Sequence, residues 1–355
     1  MIGERLKTAR SASGLSQRGL AEAVGVSAMA ISKYERDEMT PGSSVLSKLS
    51  VALERRLDYF LRPAQVTVSA PAYRRRASMK KKEEAGVRAQ VEEWIDRYLA
   101  LEDLVGLAPD FGVEGVERSI SASEEAERVA EELREVWHLG LDPIEDLVDV
   151  LEARGIRIGA IGGAPQFDAL TFWINDVVPV VALKRGVPGD RARFSLAHEL
   201  GHLVLRPEPG VDENEAANRF AGAFLVPRSA AILELGKKRH SLSFWELSVL
   251  KCRYGLSMKA WVHSAADLNI IGHGTASGLY MQLAQYKTEE PGEQLPFDEP
   301  QRLLRLAMRV LTEGIVSSER AEQLYGGPLP DHNDLLKSAK GPAADHLHRR
   351  LGHTH

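Results

Sequence analysis

Two histidines and a glutamate stand close together near the middle of the chain. Residues 193–205 read Arg-Phe-Ser-Leu-Ala-His-Glu-Leu-Gly-His-Leu-Val-Leu, which places His198, Glu199 and His202 in a stretch with helical patterning. Side chains four residues apart on a helix share one face, so the two imidazoles can hold one metal ion. A carboxylate beside the first histidine can deprotonate a water molecule at that metal. The motif therefore predicts a Zn²⁺ hydrolase site, with His198 and His202 as ligands and Glu199 as the catalytic acid/base.

The residues around this motif argue against a chance pairing of histidines. Apolar side chains occupy most of the neighbouring positions, namely Phe194, Leu196, Ala197, Leu200, Leu203, Val204 and Leu205. They predict a helix buried on nearly all sides, where imidazoles and a carboxylate without a compensating partner would be costly. The chain has a single cysteine, Cys252, which leaves histidine and carboxylate side chains as the plausible zinc ligands.

Charge is distributed unevenly along the 355 residues. Residues 1–90 contain 17 Lys and Arg against 9 Asp and Glu, whereas the remainder contains 28 against 41. This uneven charge distribution predicts that the N-terminal part binds a polyanion. No apolar run approaches the roughly 20 residues of a membrane span, and the N-terminus does not resemble a signal peptide. We therefore expect a cytoplasmic protein with no membrane partner.

The first 62 residues have the pattern of a helix-turn-helix bundle. Ser16 and Ser27 are predicted helix N-caps, and Thr40-Pro41 is predicted to open a later helix. The segment resembles the Cro/repressor type (Xre-like) module, which implies binding to a double-stranded DNA operator, expected here as a homodimer on a palindrome. The motifs that carry this resemblance are Leu15-Ser16-Gln17, Leu20-Ala21, Val24-Gly25-Val26-Ser27, Ile31-Ser32-Lys33-Tyr34-Glu35 and Pro41.

The resemblance assigns Ser27–Arg36 as the recognition helix. The positions that would face DNA are Gln17, Ser27, Ala28, Met29, Ser32 and Lys33. Small side chains permit close approach to base edges, and the amide and ammonium groups can donate to phosphates or bases. The alternative for this bundle is a protein-interaction module.

The rest of the chain predicts a mainly α protein with a small β-sheet, an α+β class. Three strands are expected at Ile156–Ile161, Ala169–Ile174 and Val178–Leu183, and a helix is expected to open at Asp142-Pro143. The predicted organisation is a helix-turn-helix domain at 1–62, a basic linker and helical connector at 63–119, a metallopeptidase core at 120–235, a helical C-terminal region at 236–328 and a disordered tail at 329–355.

A second resemblance covers roughly residues 120–330. The motifs are residues 191–205, Ala217-Asn218-Arg219-Phe220-Ala221, Phe224-Leu225-Val226-Pro227, Leu250–Ser257 and Ala260-Trp261. Together they resemble the ImmA/IrrE family of metallopeptidases. The resemblance implies a zinc endopeptidase that cleaves a repressor or antitoxin-like protein in stress or mobile-element regulation. It carries over His198 and His202 as metal ligands and Glu199 as the catalytic acid/base.

The third metal ligand does not carry over. Asn214 stands where the family pattern implies a liganding glutamate, and Glu213 and Glu215 lie about 100° to either side of it on a helix. Glu213 is our predicted ligand, because it is in phase with the apolar stripe that contains Phe220. Glu215 fits better as the capping partner of Asp212. Asn214 itself offers a weak oxygen ligand, so a shifted site, a weakened site and a non-cleaving domain all remain open. In the last case the domain would serve a repressor as a sensor or dimerisation module.

Overall fold

The computed structural model describes residues 2–53, 55, 57–61, 81–107, 117–162, 168–174, 178–286 and 290–330. The fold is mainly α-helical with two small β-sheets, which confirms the predicted α+β class. Residues 63–80 of the predicted linker and residues 331–355 of the tail predicted to be disordered lie outside the described residues. Among the helices that are described, none has the length and apolar composition needed to cross a membrane.

The chain divides into two compact units. The first comprises residues 1–95 and 109–300, and the second comprises residues 96–108 and 301–355. The helix-turn-helix segment and the His-Glu-x-x-His motif therefore both lie in the first unit.

Five helices form the N-terminal bundle around a small apolar core that includes Leu20, Ile31 and Phe60. They are α1 (Ile2–Ala12), α2 (Gln17–Val24), α3 (Ala28–Glu35), α4 (Ser43–Ala52) and α5 (Leu57–Leu61). The Ser16 and Ser27 hydroxyls accept backbone N–H groups of the first helical turns, which confirms both predicted N-caps.

The predicted start of α4 at Pro41 is wrong by two residues. Helix α4 begins at Ser43, with Gly42 as its N-cap residue. The first helical hydrogen bond runs from the Leu46 N–H to the Gly42 carbonyl, so Pro41 precedes the helix instead of occupying its first turn.

A buried carboxylate ties three elements of this bundle together. Glu35, at the end of α3, accepts hydrogen bonds from Arg10 Nη2 at 3.1 Å and from Gln17 Nε2 at 2.7 Å. The side chain of Glu35 is 4% exposed, whereas the exposed pair Arg18–Glu22 on α2 has exposures of 86% and 71%. Removing one partner of a buried pair leaves an uncompensated charge, which costs far more than losing a solvated pair.

Arg10→Met is therefore expected to lower the local stability of the bundle by about 3 kcal/mol. Hydrogen exchange at the amides of α1 to α3 in the full chain measures this free energy. The matched control, Arg18→Met, is expected to change it by less than about 0.5 kcal/mol. Equal protection in the two variants would contradict the role assigned to Glu35.

Helix α6 (Lys81–Leu104) contacts both the N-terminal bundle and the following domain through its first half. On one side Glu92 accepts a hydrogen bond from the Thr8 hydroxyl at 3.3 Å, and Glu93 pairs with Arg55. On the other side the Trp94 indole lies so close to Gly159 that an added Cβ there would come within 2.9 Å of it. Gly159 is thus required for the close approach of the indole.

The remaining elements of the first unit build one large core. They are β1 (Arg118–Ile120), α7 (Glu125–Val136), α8 (Leu147–Glu152), β2 (Arg157–Ile161), β3 (Ala169–Ile174), β4 (Val178–Lys184), α9 (Gly189–Val204), β5 (Leu205–Pro207), α10 (Glu213–Leu225), α11 (Arg228–Leu235), α12 (Phe244–Tyr254), α13 (Met258–Asp267) and α14 (His273–Leu283). The second unit contains the end of α6 with α15 (Arg302–Thr312) and α16 (Ser318–Tyr325).

The three predicted strands form one sheet in the order β2-β4-β3. Strand β2 runs parallel to β4, and β3 runs antiparallel to it with Thr171 opposite Val181. Strands β1 and β5 form a separate parallel pair. The prediction of three strands is confirmed, and β3 lies at one edge of the sheet.

The helix predicted to open at Asp142-Pro143 begins later. Helix α8 starts at Leu147, and Asp146 is its N-cap. The preceding backbone is used in tertiary contacts instead, because Arg134 donates to the Asp142 carbonyl and Arg193 donates to the Ile144 carbonyl. Side chains of α7 and α9 therefore bind the backbone carbonyls of this segment in place of a helix.

Candidate active site and nucleic-acid interface

Helix α9 carries the His-Glu-x-x-His motif through the centre of the large core. It contacts β3, β4 and α10, and most of its residues are buried. Gly201 permits the closest approach to α10, since an added Cβ would lie 3.1 Å from Phe220 Cδ1 and 3.3 Å from Ala217 Cα. The predicted burial of this helix is confirmed.

The two imidazoles of the motif converge. His198 Nε2 and His202 Nε2 are 3.0 Å apart. His198 Nδ1 donates to Asn218 Oδ1 of α10 at 2.9 Å, which leaves Nε2 as the ligating nitrogen of the neutral ring. Burial, with a smaller contribution from His198, lowers the pKa of His202 to about 3. Neutral His202 is the form that binds a metal ion.

Glu199 lies beside this pair in a buried position. Its carboxylate Oε2 accepts a hydrogen bond from the Thr171 hydroxyl at 2.7 Å. Thr171 belongs to edge strand β3 and is itself buried. Thr171 is not among the residues predicted from the sequence, although a hydroxyl residue in the otherwise apolar run Ala-Leu-Thr-Phe-Trp-Ile is a usable signal.

The structure does not bring the predicted third ligand, Glu213, to the histidine pair. Glu213 and Glu215 are exposed in the first turn of α10, and Glu215 Oε1 lies 3.6 Å from Arg219. Within the described residues, no group of three His, Cys, Asp or Glu side chains could hold a metal ion. Asp212 is the N-cap of α10, as predicted, but its carboxylate accepts the Asn214 and Glu215 N–H groups without a reciprocal bond from Glu215.

The donor set therefore fits a zinc ion at two positions of the three expected for a catalytic site. The two imidazole nitrogens supply two of the ligands, and the adjacent Glu199 carboxylate supplies the base that such a site needs. No carboxylate among the described residues completes the site as a third ligand. Asn218 is the residue of α10 that the structure places against His198, and it acts on the outer ring nitrogen as an orienting partner.

The predicted DNA-contacting residues lie at the start of α2 and along α3. Ser27, Ala28, Met29 and Lys33 are exposed, and Gln17 and Ser32 are half-buried. The Met29 side chain is 69% exposed and is therefore available for an apolar contact with a base. The Gln17 amide already donates one hydrogen to Glu35, so its remaining amide hydrogen is what it can offer a phosphate.

Comparison with known families accounts for both segments. Residues 6–60 match the Helix-turn-helix family model, and residues 152–265 match the model of the IrrE N-terminal-like domain. The chain thus contains an N-terminal segment similar to helix-turn-helix domains and a central segment similar to IrrE-like domains. The match to the IrrE-like domain includes His198, Glu199, His202, Thr171 and Asn218, so the converging histidines belong to the matched domain.

A similar protein is known for the helix-turn-helix domain. It is the SPbeta prophage-derived uncharacterized HTH-type transcriptional regulator YonR of Bacillus subtilis (strain 168), 37% identical over 62 residues. The similarity covers 18% of this chain and 57% of that protein. No solved structure matches the chain.

Proposed function

We propose that the protein is a DNA-binding transcriptional regulator whose IrrE-like domain is a zinc-dependent endopeptidase acting on a repressor or antitoxin-like protein. The observation that carries the proposal is the 3.0 Å approach of the two histidine Nε2 atoms beside the buried carboxylate of Glu199. A buried acid next to two metal-binding nitrogens is expected at a hydrolytic centre, whereas a purely structural zinc site needs no base.

The residues of the chain divide the chemistry between them. His198 and His202 would hold a zinc ion, which when bound would polarise the scissile carbonyl and acidify a water molecule. Glu199 would serve as the acid/base, accepting a proton from water on its carboxylate and donating it to the leaving amine. The Thr171 hydroxyl orients the Glu199 carboxylate, and the Asn218 amide orients the His198 ring.

Strand β3 offers a way to hold the substrate. It is at the edge of its sheet, and among the described strands it pairs with β4 alone. An extended polypeptide added to this edge would gain main-chain hydrogen bonds next to Thr171 and Glu199. A segment that can be pulled into an extended form, as in a loop or linker of a repressor, suits this mode of binding.

Zinc-dependent hydrolysis tests the peptidase proposal. The purified full chain is incubated with a quenched-fluorescent peptide library over a range of added zinc, with a chelator as the control. We expect hydrolysis that the chelator abolishes. No hydrolysis at any zinc concentration would contradict the proposal.

A second candidate function rests on the missing carboxylate. With Glu213 and Glu215 exposed and Asn214 in the position of the family's ligand, the IrrE-like domain would bind zinc weakly. The protein would then be a repressor whose IrrE-like domain serves as a sensor or dimerisation module. This candidate is favoured if the wild-type protein neither retains zinc nor cleaves peptides while it still binds DNA.

The DNA-binding half of the proposal rests on the exposed face of α3. We propose that two chains bind a palindromic operator, each with α3 in the major groove. Because the operator is unknown, duplexes selected from a random DNA pool by the full chain serve as the probe.

Lys33→Ala is expected to weaken binding to the selected duplex by about tenfold. If Lys33 contacts a phosphate, the slope of the logarithm of the binding constant against the logarithm of the salt concentration should also fall in magnitude by about 1 per subunit. Electrophoretic mobility shifts between about 50 and 200 mM salt measure both quantities. The control is Lys48→Ala, which removes an exposed cation from α4. An equal loss in both variants would contradict recognition through α3.

A further inference from the structure

A large cavity lies on the side of α10 that faces α7, α11, α13 and α14 in the first unit. Its volume is about 710 Å³, within the range of about 300–1,000 Å³ that is usual for ligand sites. Much of the wall is apolar or carries small side chains, including Phe194, Gly222, Ala223, Leu256 and Ala260. The space is sufficient for a large side chain together with its neighbours in a polypeptide.

This cavity adjoins the candidate active site through two residues. Asn218 lines it and also accepts the hydrogen bond from His198 Nδ1. Phe194 lines it from α9, one helical turn before His198. A polypeptide held at the histidine pair therefore passes the mouth of the cavity.

Two of the basic side chains of the wall, Arg219 and His263, already contact carboxylates that also line it. Arg219 contacts Glu127 at 2.6 Å and Glu215 at 3.6 Å, and His263 lies 3.2 Å from Asp267. A charged occupant would have to compete with these internal pairs, whereas an apolar occupant gains by leaving water. The wall thus favours uncharged apolar groups.

We propose that the cavity is a specificity pocket that receives a large apolar side chain, such as Phe or Leu, of the polypeptide bound at His198 and His202. The inference rests on the proposed peptidase function and adds a substrate preference to it. Gly222 is the specificity-determining residue, because a Cβ added there would meet no atom within 4 Å and would project into the open space.

Gly222→Leu fills this space without a clash. A leucine also has higher helix propensity than glycine, so α10 is expected to form in the variant. The matched control is Gly274→Leu on α14, where an added Cβ likewise meets nothing and the position does not line the cavity.

The experiment measures binding so that it does not depend on turnover. Fluorescein-labelled ten-residue peptides with a central Phe, Leu or Ala are titrated with the full chain carrying Glu199→Gln, and anisotropy gives the affinity. We expect the Phe and Leu peptides to bind at least about tenfold more tightly than the Ala peptide. Gly222→Leu should remove this difference, and Gly274→Leu should retain it.

The pocket assignment would be wrong if the three peptides bound equally tightly, or if Gly222→Leu still bound the Phe and Leu peptides more tightly than the Ala peptide. The two proposals fail separately in this design. If the protein binds the Phe and Leu peptides more tightly than the Ala peptide, but the protein with Glu199 cleaves none of them, the pocket assignment stands and the peptidase proposal is wrong. If the protein cleaves all three peptides equally well, the peptidase proposal stands and the pocket assignment is wrong.

Discussion

Asn214→Glu is expected to raise the zinc affinity of the full chain by about 100-fold. Four-ligand structural zinc sites contribute roughly 10–16 kcal/mol, about 3 kcal/mol per ligand, which corresponds to about 100-fold in affinity. Asn214 lies one helical turn before Asn218 on α10, and Asn218 contacts His198, so both residues face the same side. A carboxylate in this position supplies the ligand that the described residues do not provide. Competition with a chromophoric chelator measures the change.

Two sets of control variants separate this explanation from the others. His198→Ala in the Asn214→Glu background should cancel the gain of about 100-fold, because it removes one of the three ligands. Glu213→Gln and Glu215→Gln should leave the wild-type affinity unchanged, because both side chains are exposed. If Glu213→Gln lowered the affinity about 100-fold, Glu213 would be the third ligand as the sequence predicted, and the role given to Asn214 would be wrong.

The parts of the fold that follow from local patterns were predictable. The caps at Ser16 and Ser27 and the three strands of the sheet depend on residue type and short spacing, which the sequence displays directly. The burial of α9 also followed from its own apolar residues. The start of α8 did not, because Arg134 and Arg193 from other helices bind the backbone that precedes it.

The contacts that orient the candidate site depend on pairs of residues far apart in sequence. Thr171 and Glu199 are 28 positions apart, and His198 and Asn218 are 20 apart. No periodicity relates such pairs, since only the packing of α9 against β3 and α10 brings them together. The predicted role of Glu213 depends on the same packing. Its phase on α10 was judged correctly relative to Phe220, but at the first turn of the helix that face is open to solvent.

Glu199→Gln is expected to reduce the rate of zinc-dependent peptide hydrolysis by about 100- to 10,000-fold, the usual contribution of a general acid/base. The amide keeps the shape of the carboxylate and can still accept the Thr171 hydroxyl, but it cannot take a proton from water at neutral pH. Zinc affinity should change little, because Glu199 is assigned as the base and not as a ligand. Measuring kcat at saturating zinc alongside zinc affinity distinguishes the two roles.

Thr171→Val provides the graded comparison. It removes the hydroxyl but keeps the shape of the buried side chain, so Glu199 loses one orienting hydrogen bond and retains its basicity. We expect kcat to fall by about tenfold, in line with the loss of one buried hydrogen bond. Thr171→Ser should restore most of the lost kcat.

A Glu199→Gln variant as active as wild type would show that the carboxylate is not the base. A loss of zinc in that variant would instead assign Glu199 to the metal, and the two-histidine site would gain its third ligand from within α9.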